Sequence, residues 1–212
     1  MARLRSGLVV LALLGSSMAA VTPAQAAIVP TGFTDSLVAA IPSPTAVQGT
    51  PDGRILVASK TGQLRVIKNG VMLATPAINL AAKTCSNQER GLLGIVADPD
   101  PASRAIYLFY TLKGSASTCP FGTPEPAGAP RNRVSKFILK DDSTIDPAGE
   151  TVLLDGIMSA YGGHNAGDLH VGKDGYLYIS TGDGGCDYSG TARFPAAAAA
   201  GATTTRRGIG TS

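Results

Sequence analysis

Two residues of this sequence have the types and the spacing of an acid–base pair. His164 lies in Gly162-Gly-His-Asn-Ala-Gly-Asp-Leu-His170, where the glycines present the imidazole on a loop and let the backbone approach a ligand. Asp183 follows nineteen residues later, after a predicted strand, in Gly182-Asp-Gly-Gly185. A hairpin of that length returns Asp183 to the rim that carries His164, and a carboxylate bonded to one imidazole nitrogen leaves the other as a base. The alternative is that His164 is an ordinary polar surface residue.

The elements that must position this pair are short β-strands separated by turn residues. Residues 54–58, 63–67 and 71–73 predict a three-stranded meander, in which Asn69-Gly70 has the strongest two-residue hairpin signal. Further strands are predicted at 105–111, 133–139, 151–154 and 176–181. His170 has the pattern of an ordinary strand residue, and we assign it no role. Because no window of 11 or more residues in this region carries a helical stripe, the predicted class is all-β.

One plan recurs three times along the chain: a segment of small residues, an acidic turn and a buried strand. The acidic turns are at 51–53, 98–101 and 173–175, and the small-residue segments before them are at 43–47, 90–95 and 164–169. Units of this kind are typical of β-propeller blades, which repeat at roughly 40–50 residues. A β-sandwich is the alternative, since its strands are also short and regularly spaced.

Residues 1–26 have the pattern of a cleaved export signal. Arg3 and Arg5 give a basic start, residues 7–15 form an apolar core, and Ala24-Gln-Ala26 fits the cleavage pattern. The apolar core is shorter than the roughly 20 residues of a membrane-spanning helix, so we expect no stable membrane insertion and a secreted or periplasmic protein. The alternative is an uncleaved membrane anchor.

Residues 191–212 are a low-complexity tail of mainly Ala, Thr, Arg and Gly. A short Ala-rich helix is one interpretation, but the segment lacks an apolar stripe that could pack. Our hypothesis is that the tail is a frame-shifted or prematurely ended translation. Residues 27–190 then suffice for about three to four blades at the blade period, and propellers close with about four to eight. We therefore expect an open arc that is weakly active or inactive by itself.

The net charge and the cysteines indicate which classes of partner and which cellular compartment to expect. The formal charge is +3, and no Lys/Arg cluster is longer than Arg206-Arg207, which argues against nucleic-acid binding. Cys85 and Cys119 flank one strand unit and could form a disulfide in an oxidising compartment. Cys186, the third cysteine, would not take part in that disulfide. Cys186 either has a partner beyond this chain, bridges to another molecule or is a free thiol.

Six segments together resemble the glucose/sorbosone dehydrogenase family. They are residues 43–46, 52–54, 62–70, 89–94, 164–169 and 174–185. The resemblance implies a six-bladed β-propeller that uses pyrroloquinoline quinone (PQQ) and calcium to oxidise an aldose and passes the electrons to an external acceptor. This chain would hold roughly the first three blades, with the calcium ligands beyond it.

The resemblance also implies roles for four residues. His164 falls on the family's general base, Asp183 on the aspartate that orients it, and Asn165 on a loop position next to cofactor or sugar. Glu89 occupies a cofactor-binding position at which sugar-oxidising members commonly have glutamine.

Two other functions remain as alternatives. The Glu89 departure favours a non-catalytic exported propeller that binds a glycan or a protein. A metal-dependent lactonase would need a convergent set of oxygen ligands, and we cannot assemble one from these residues. No oxygen-rich calcium loop is readable either, so no metal ligand is predicted within the chain.

Overall fold

The structure is a computed structural model that describes residues 29–115, 117–120, 122, 127–159, 161–185 and the backbone of 202–206. It divides into two units, Met1–Leu37 and Val38–Ser212. In the first unit, a turn is closed by the Phe33 N–H, which donates to the Pro30 carbonyl at 3.0 Å. The predicted signal, Cys186 and most of the predicted tail lie outside the described residues.

Within the described residues of the second unit, twelve strands form three antiparallel sheets. The first sheet contains β1 (Pro44–Gly49), β2 (Ile55–Ser59), β3 (Gln63–Lys68), β4 (Val71–Met72) and β5 (Ile78–Asn79). The second contains β6 (Leu92–Ala97), β7 (Ala105–Leu112), β8 (Arg131–Ile138) and β9 (Thr151–Met158). The third contains β10 (Ala166–Val171), β11 (Tyr176–Thr181) and β12 (Ala202–Arg206). A 3-10 turn at Pro147–Gly149 precedes β9.

Each sheet is a meander in which neighbouring strands follow one another in the chain. In the first sheet, β4 and β5 pair with different ends of β3 and together serve as its outer strand. In the third sheet, β12 pairs with β11 from Tyr176 opposite Arg206 to Ser180 opposite Ala202. Residues 202–206 of the predicted tail therefore extend a sheet.

The first strands of the three sheets, β1, β6 and β10, lie side by side. The Thr45 hydroxyl on β1 donates to the Leu92 carbonyl on β6 at 2.6 Å. Between β6 and β10 the backbones nearly touch, because a Cβ added at Gly94 would lie 1.8 Å from the Gly167 carbonyl oxygen. These strands coincide with the predicted small-residue segments, whose role as strands the sequence patterns did not show. Sheets whose inner strands converge in this way are successive propeller blades.

The hydrophobic core consists of two layers, one on each side of the second sheet. Strand β7 contributes to both layers by the alternation of its side chains. Ile106, Leu108 and Tyr110 pack toward the first sheet, and Tyr107 and Phe109 pack toward the third. Because both faces of β7 are buried, its sequence is a continuous apolar run instead of an alternating one.

Each of the three acidic turns contains the same type of hydrogen bond. Asp52, Asp98 and Asp174 each accept the backbone N–H of the residue two positions later, at 3.3, 3.0 and 3.1 Å. Such a bond lets the side chain stabilise the turn that leads into the next strand. At the predicted hairpin, Asn69 and Gly70 have φ of 52° and 75°, as a two-residue turn of this type requires.

Candidate active site

His164 and Asp183 are brought together at one end of the third sheet. His164 lies just before β10 and Asp183 just after β11, and the antiparallel pairing sets Ala166 opposite Thr181. The start of β10 and the end of β11 therefore share one edge. The Nδ1 atom of His164 and the Oδ1 atom of Asp183 are 2.9 Å apart, which is a hydrogen bond.

The burial of the two partners differs. The Asp183 side chain is 16% exposed and the His164 side chain 62% exposed. Oδ1 of Asp183 also accepts the backbone N–H of Gly185 at 2.9 Å, which fixes the carboxylate. The imidazole ring is therefore bonded to Asp183 through Nδ1, and most of the His164 side chain is exposed.

The loop that carries Asp183 is held against the loop that carries His164 by backbone contacts. The Gly182 N–H donates to the Asn165 carbonyl at 3.1 Å, and the Gly184 N–H donates to the His164 carbonyl at 3.2 Å. A Cβ added at Gly182 would lie 1.7 Å from the His164 carbonyl oxygen. Only glycine therefore fits at position 182, where the two loops meet.

Glu89 lies beside His164, but its nearest partner is the backbone. Its Oε2 atom accepts the His164 N–H at 2.5 Å, and its own N–H donates to the Gly162 carbonyl at 2.9 Å. Glu89 is itself exposed. The structure therefore places this residue at the site in two contacts with the histidine loop, and its cofactor-binding role stays a prediction.

Asn165 points into the protein. It is 3% exposed, and its amide nitrogen donates to the Gly162 carbonyl at 3.0 Å. Its amide oxygen accepts from Asn132 Nδ2 at 3.0 Å and from Ser159 Oγ at 2.6 Å. The predicted contact with cofactor or sugar would require the side chain to leave these partners.

Arg90 is a residue of this region that sequence reasoning missed. It is fully buried, and its Nε atom donates to the carbonyl and the hydroxyl of Ser159 at 3.0 and 3.1 Å. Its Nη1 atom donates to the Asn87 amide oxygen at 3.2 Å and to the Cys119 carbonyl at 3.4 Å. Burial lowers the pKa of Arg90 from its usual value. In the sequence Arg90 shows only as a basic residue before an apolar run, and that pattern is equally typical of a surface residue.

Cys85 and Cys119 form a disulfide. Cys119 also accepts a hydrogen bond from the Asn87 amide at 2.9 Å through its carbonyl. The other histidine, His170, lies in β10 opposite Tyr178 and is exposed. The predicted strand position of His170 is confirmed.

The described residues contain no group of three His, Cys, Asp or Glu side chains that could hold a metal ion. They also contain no helix of the length and apolar character needed to cross a membrane.

Residues 41–202 match the family of glucose/sorbosone dehydrogenases. The chain belongs to that family. The resemblance in the sequence motifs is thereby confirmed. The matched residues include 191–202, the first part of the predicted tail, and the frame-shift hypothesis stays a prediction.

Solved structures similar to this family member include three dehydrogenases. A putative oxidoreductase (glucose dehydrogenase) of Thermus thermophilus is 28% identical, with a TM-score of 0.55 over 70% of this chain and 39% of that one. The PQQ-bound aldose sugar dehydrogenase of Streptomyces coelicolor is 21% identical, with a TM-score of 0.53 over 69% and 40%. The apo form of the soluble aldose sugar dehydrogenase of Escherichia coli is 25% identical, with a TM-score of 0.50 over 68% and 38%.

The structural matches confirm the all-β class and the β-propeller architecture. This glucose/sorbosone dehydrogenase chain spans about two fifths of the length of these solved structures. The three sheets of the described residues are consecutive blades in an open arc.

Proposed function

We propose that this chain carries the general base of a PQQ-dependent dehydrogenase that oxidises an aldose. The observation that supports it is the 2.9 Å bond between His164 Nδ1 and Asp183 Oδ1 at the exposed edge of the third blade. Membership of the glucose/sorbosone dehydrogenase family supplies the reaction class. The PQQ-bound state of the similar Streptomyces coelicolor enzyme supplies the candidate cofactor.

His164 acts through its Nε2 atom. Asp183 accepts the Nδ1 proton, so the neutral ring has its lone pair on Nε2 and can take the proton of a sugar hydroxyl. When that proton arrives, the ring becomes an imidazolium, and the carboxylate of Asp183 stabilises the new positive charge. Two hydrogen bonds hold the loop while the ring changes charge: the His164 N–H donates to the Glu89 carboxylate, and the Gly184 N–H donates to the His164 carbonyl.

The residues present fit the proton-transfer side of a quinone site. The ring of His164 is open to a bound ligand, and the backbone N–H that Glu89 accepts offsets part of the Glu89 charge. PQQ, when bound, supplies the two-electron oxidant for the hydride that leaves the sugar carbon. His164 and Glu89 would face it. We propose calcium as a second cofactor with ligands outside the described residues, and an external electron acceptor.

We also propose that the protein acts outside the cytoplasm. The export signal predicted at residues 1–26 and the disulfide between Cys85 and Cys119 support this, because disulfides persist in oxidising compartments.

The test is reconstitution of the complete gene product with PQQ and calcium, followed by reduction of an artificial acceptor with a panel of aldoses. We expect turnover, and a loss of about 10²–10⁴-fold in kcat for His164→Gln because a general base contributes that much. The matched control is His170→Gln, which removes the other histidine and should keep kcat near wild type. Absence of turnover across the panel, with PQQ binding confirmed by absorbance, would contradict the proposal.

The departure at Glu89 favours one other candidate, a non-catalytic exported propeller that binds a glycan or a protein. The same absorbance titration separates the two. A protein that takes up no PQQ but is retained by an immobilised glycan would have the second function.

A further inference from the structure

The backbone around His164 is in a left-handed conformation, which the surrounding contacts must stabilise. Gly162, His164 and Ala166 have φ of 78°, 51° and 52°. The left-handed region costs a non-glycine residue roughly 1–2 kcal/mol, and such residues persist where the surroundings over-determine them. His164 and Ala166 both carry this cost, and Asn165 is the residue between them.

The side chain of Asn165 ties this segment to the second blade. All three of its hydrogen bonds are made to buried or main-chain groups: the Gly162 carbonyl, Asn132 on β8 and Ser159 after β9. Asn132 is itself fixed, since its Oδ1 atom accepts from Thr111 Oγ1 on β7 at 2.7 Å. These groups have no access to water that could replace a lost partner, so each lost bond leaves a buried polar atom unsatisfied.

Ser159 is fixed in turn by Arg90. The guanidinium holds both the carbonyl and the hydroxyl of Ser159, and the hydroxyl donates onward to Asn165. The donors therefore run in one direction, from Arg90 through Ser159 to Asn165. Arg90 also binds the carbonyl of Cys119, which the disulfide joins to Cys85.

The main chain of the same segment meets the loop that carries Asp183. The carbonyls of Asn165 and His164 accept the N–H groups of Gly182 and Gly184. Asn165 therefore connects two parts of the site. Its side chain is hydrogen-bonded to the second blade, and its main chain is hydrogen-bonded to the loop that carries Asp183.

We propose that Asn165 is a positioning residue that keeps His164 bonded to Asp183 through Nδ1, with Arg90 and Ser159 as its anchor. This rests on the proposed function for its catalytic consequence, although the positioning itself does not. Without the anchor, the left-handed conformation at His164 relaxes and the ring leaves Asp183. A ring that then protonates on Nε2 has lost the lone pair that a base needs there.

The test reads the tautomer of His164 directly by NMR of the complete gene product labelled with ¹⁵N-histidine. The His164 signals are assigned from their disappearance in His164→Gln, and His170 serves as an internal reference. In the wild type we expect an Nδ1–H signal bonded to Asp183. In Asn165→Ala we expect that signal to be lost, with His170 unchanged.

Ser159→Ala is the milder variant, and it decides the matter if Asn165→Ala does not fold. It removes the 2.6 Å bond to Asn165 while the Ser159 carbonyl stays on Arg90. Its matched control is Ser135→Ala, another fully buried serine, whose hydroxyl donates to Glu150 at 2.7 Å. We expect Ser159→Ala to weaken the Nδ1–H signal of His164 and Ser135→Ala to leave it intact.

Kinetics supply the second measurement. We expect Ser159→Ala to lower kcat about tenfold, with a smaller change in KM, because a misplaced base costs rate more than binding. A wild-type Nδ1–H signal in a folded Asn165→Ala or Ser159→Ala protein would overturn the proposal, as would an equal effect of Ser135→Ala. If the wild type shows no sugar oxidation but the NMR changes occur as expected, the proposed function fails and the positioning role stands.

Discussion

Glu89 lies beside His164, and its being a glutamate does not by itself show what its side chain does there. The sequence presents a carboxylate at a position where the family resemblance implies an amide, and a negative charge there would repel an anionic ligand. In the structure, one oxygen of this carboxylate accepts the backbone N–H of His164. A glutamine side chain also has an oxygen that can accept this bond. The departure from glutamine is therefore compatible with the same loop geometry.

This bond predicts different outcomes for two substitutions. Glu89→Gln keeps an acceptor for the His164 N–H and removes the charge, so we expect kcat within about threefold of wild type and tighter PQQ binding, since one like charge is gone. Glu89→Ala removes the acceptor, and we expect a loss of about tenfold in kcat. Steady-state kinetics and an absorbance titration with PQQ measure both. Equal losses in the two variants would show that the charge of Glu89, and not its acceptor atom, matters.

Glu150 gives a prediction of pH-dependent stability. Burial opposes its ionisation, but bonds from Lys83, Tyr110 and Ser135 outweigh it and lower the pKa of Glu150 below its ordinary value. Burial and the bond to Glu150 raise the pKa of Tyr110, so the phenol remains a donor. A carboxyl with a lowered folded pKa stabilises the fold above its unfolded pKa, and that stability is lost as the pH falls through the folded value.

We therefore expect Glu150→Gln to destabilise the protein at pH 7 and to flatten the decline of Tm between about pH 5 and pH 3. Thermal unfolding at a series of pH values measures this. Asp35→Asn, at an exposed position before β1, is the control and should follow the wild-type slope. A Glu150→Gln profile parallel to that of the wild type would contradict this assignment.

At the scale of elements, the inner strands explain why the sheets could be only partly predicted. The strands with strong β-propensity, such as β2, β3, β7 and β11, were predicted from their apolar runs and turns, and the structure has them. Strands β1 and β10 contain Pro44, Gly49, Gly167 and Asp168, residue types that are depleted in strands, and Gly94 interrupts the apolar run of β6. Glycine at positions 94 and 167 follows from the contact between blades, where a side chain at Gly94 would overlap the backbone at Gly167.

This contact predicts a large effect from one methyl group. Gly94→Ala would place a Cβ 1.8 Å from the Gly167 carbonyl, and backbone cannot rotate away as a side chain can. We expect a loss of about 2 kcal/mol or more in the free energy of unfolding, as overpacking of a close contact costs. Gly49→Ala on β1 is the matched control, with no heavy atom within 4 Å of the added Cβ. A change below about 0.5 kcal/mol, which is ordinary for a surface site, is expected there.

Denaturant unfolding of both variants supplies the free energies. If Gly94→Ala proved as stable as Gly49→Ala, the inner strands of the second and third blades would have to lie farther apart than the structure shows.

At the scale of the whole molecule, the disulfide connects parts that are distant in the chain. Cys85 and Cys119 are separated by 34 positions, and three hydrogen bonds surround the bridge: Cys85 N–H to the Thr111 carbonyl, and the bonds of Asn87 and Arg90 to the Cys119 carbonyl. The bridge therefore closes a long loop next to the group that anchors the histidine segment. A covalent link of this kind restricts the unfolded chain and so stabilises the folded one.

Removing the bridge should cost about 4 kcal/mol for a loop of this length. The comparison is made in the Cys186→Ala background, which removes any bridge that Cys186 forms. We expect the Cys186→Ala protein to lose this free energy when a thiol reductant is added, and the variant that also carries Cys85→Ala and Cys119→Ala to be insensitive to the reductant. Denaturant unfolding with and without reductant gives the result. Unchanged stability of the Cys186→Ala protein, with reduction shown by thiol titration, would contradict it.

The sequence by itself determined what depends on local chemistry. Asn69-Gly70 and the three acidic turns depend on contacts between residues two to four positions apart. Apolar runs such as 105–111 indicate a buried strand. The all-β class and the blade repeat could therefore be derived from the sequence. The pair of His164 and Asp183 could be predicted because one hairpin relates them. The family resemblance added their expected roles.

Only the tertiary structure decided which groups meet across long separations in the chain. The bond from the His164 N–H to Glu89 spans 75 positions, and those from Arg90 to Ser159 span 69. No periodicity in the sequence encodes such distances, because they depend on how one blade packs against the next. For the same reason the sequence did not show that Asn165 is buried against the second blade, where its amide oxygen accepts from Asn132. Its contact with cofactor or sugar stays a prediction.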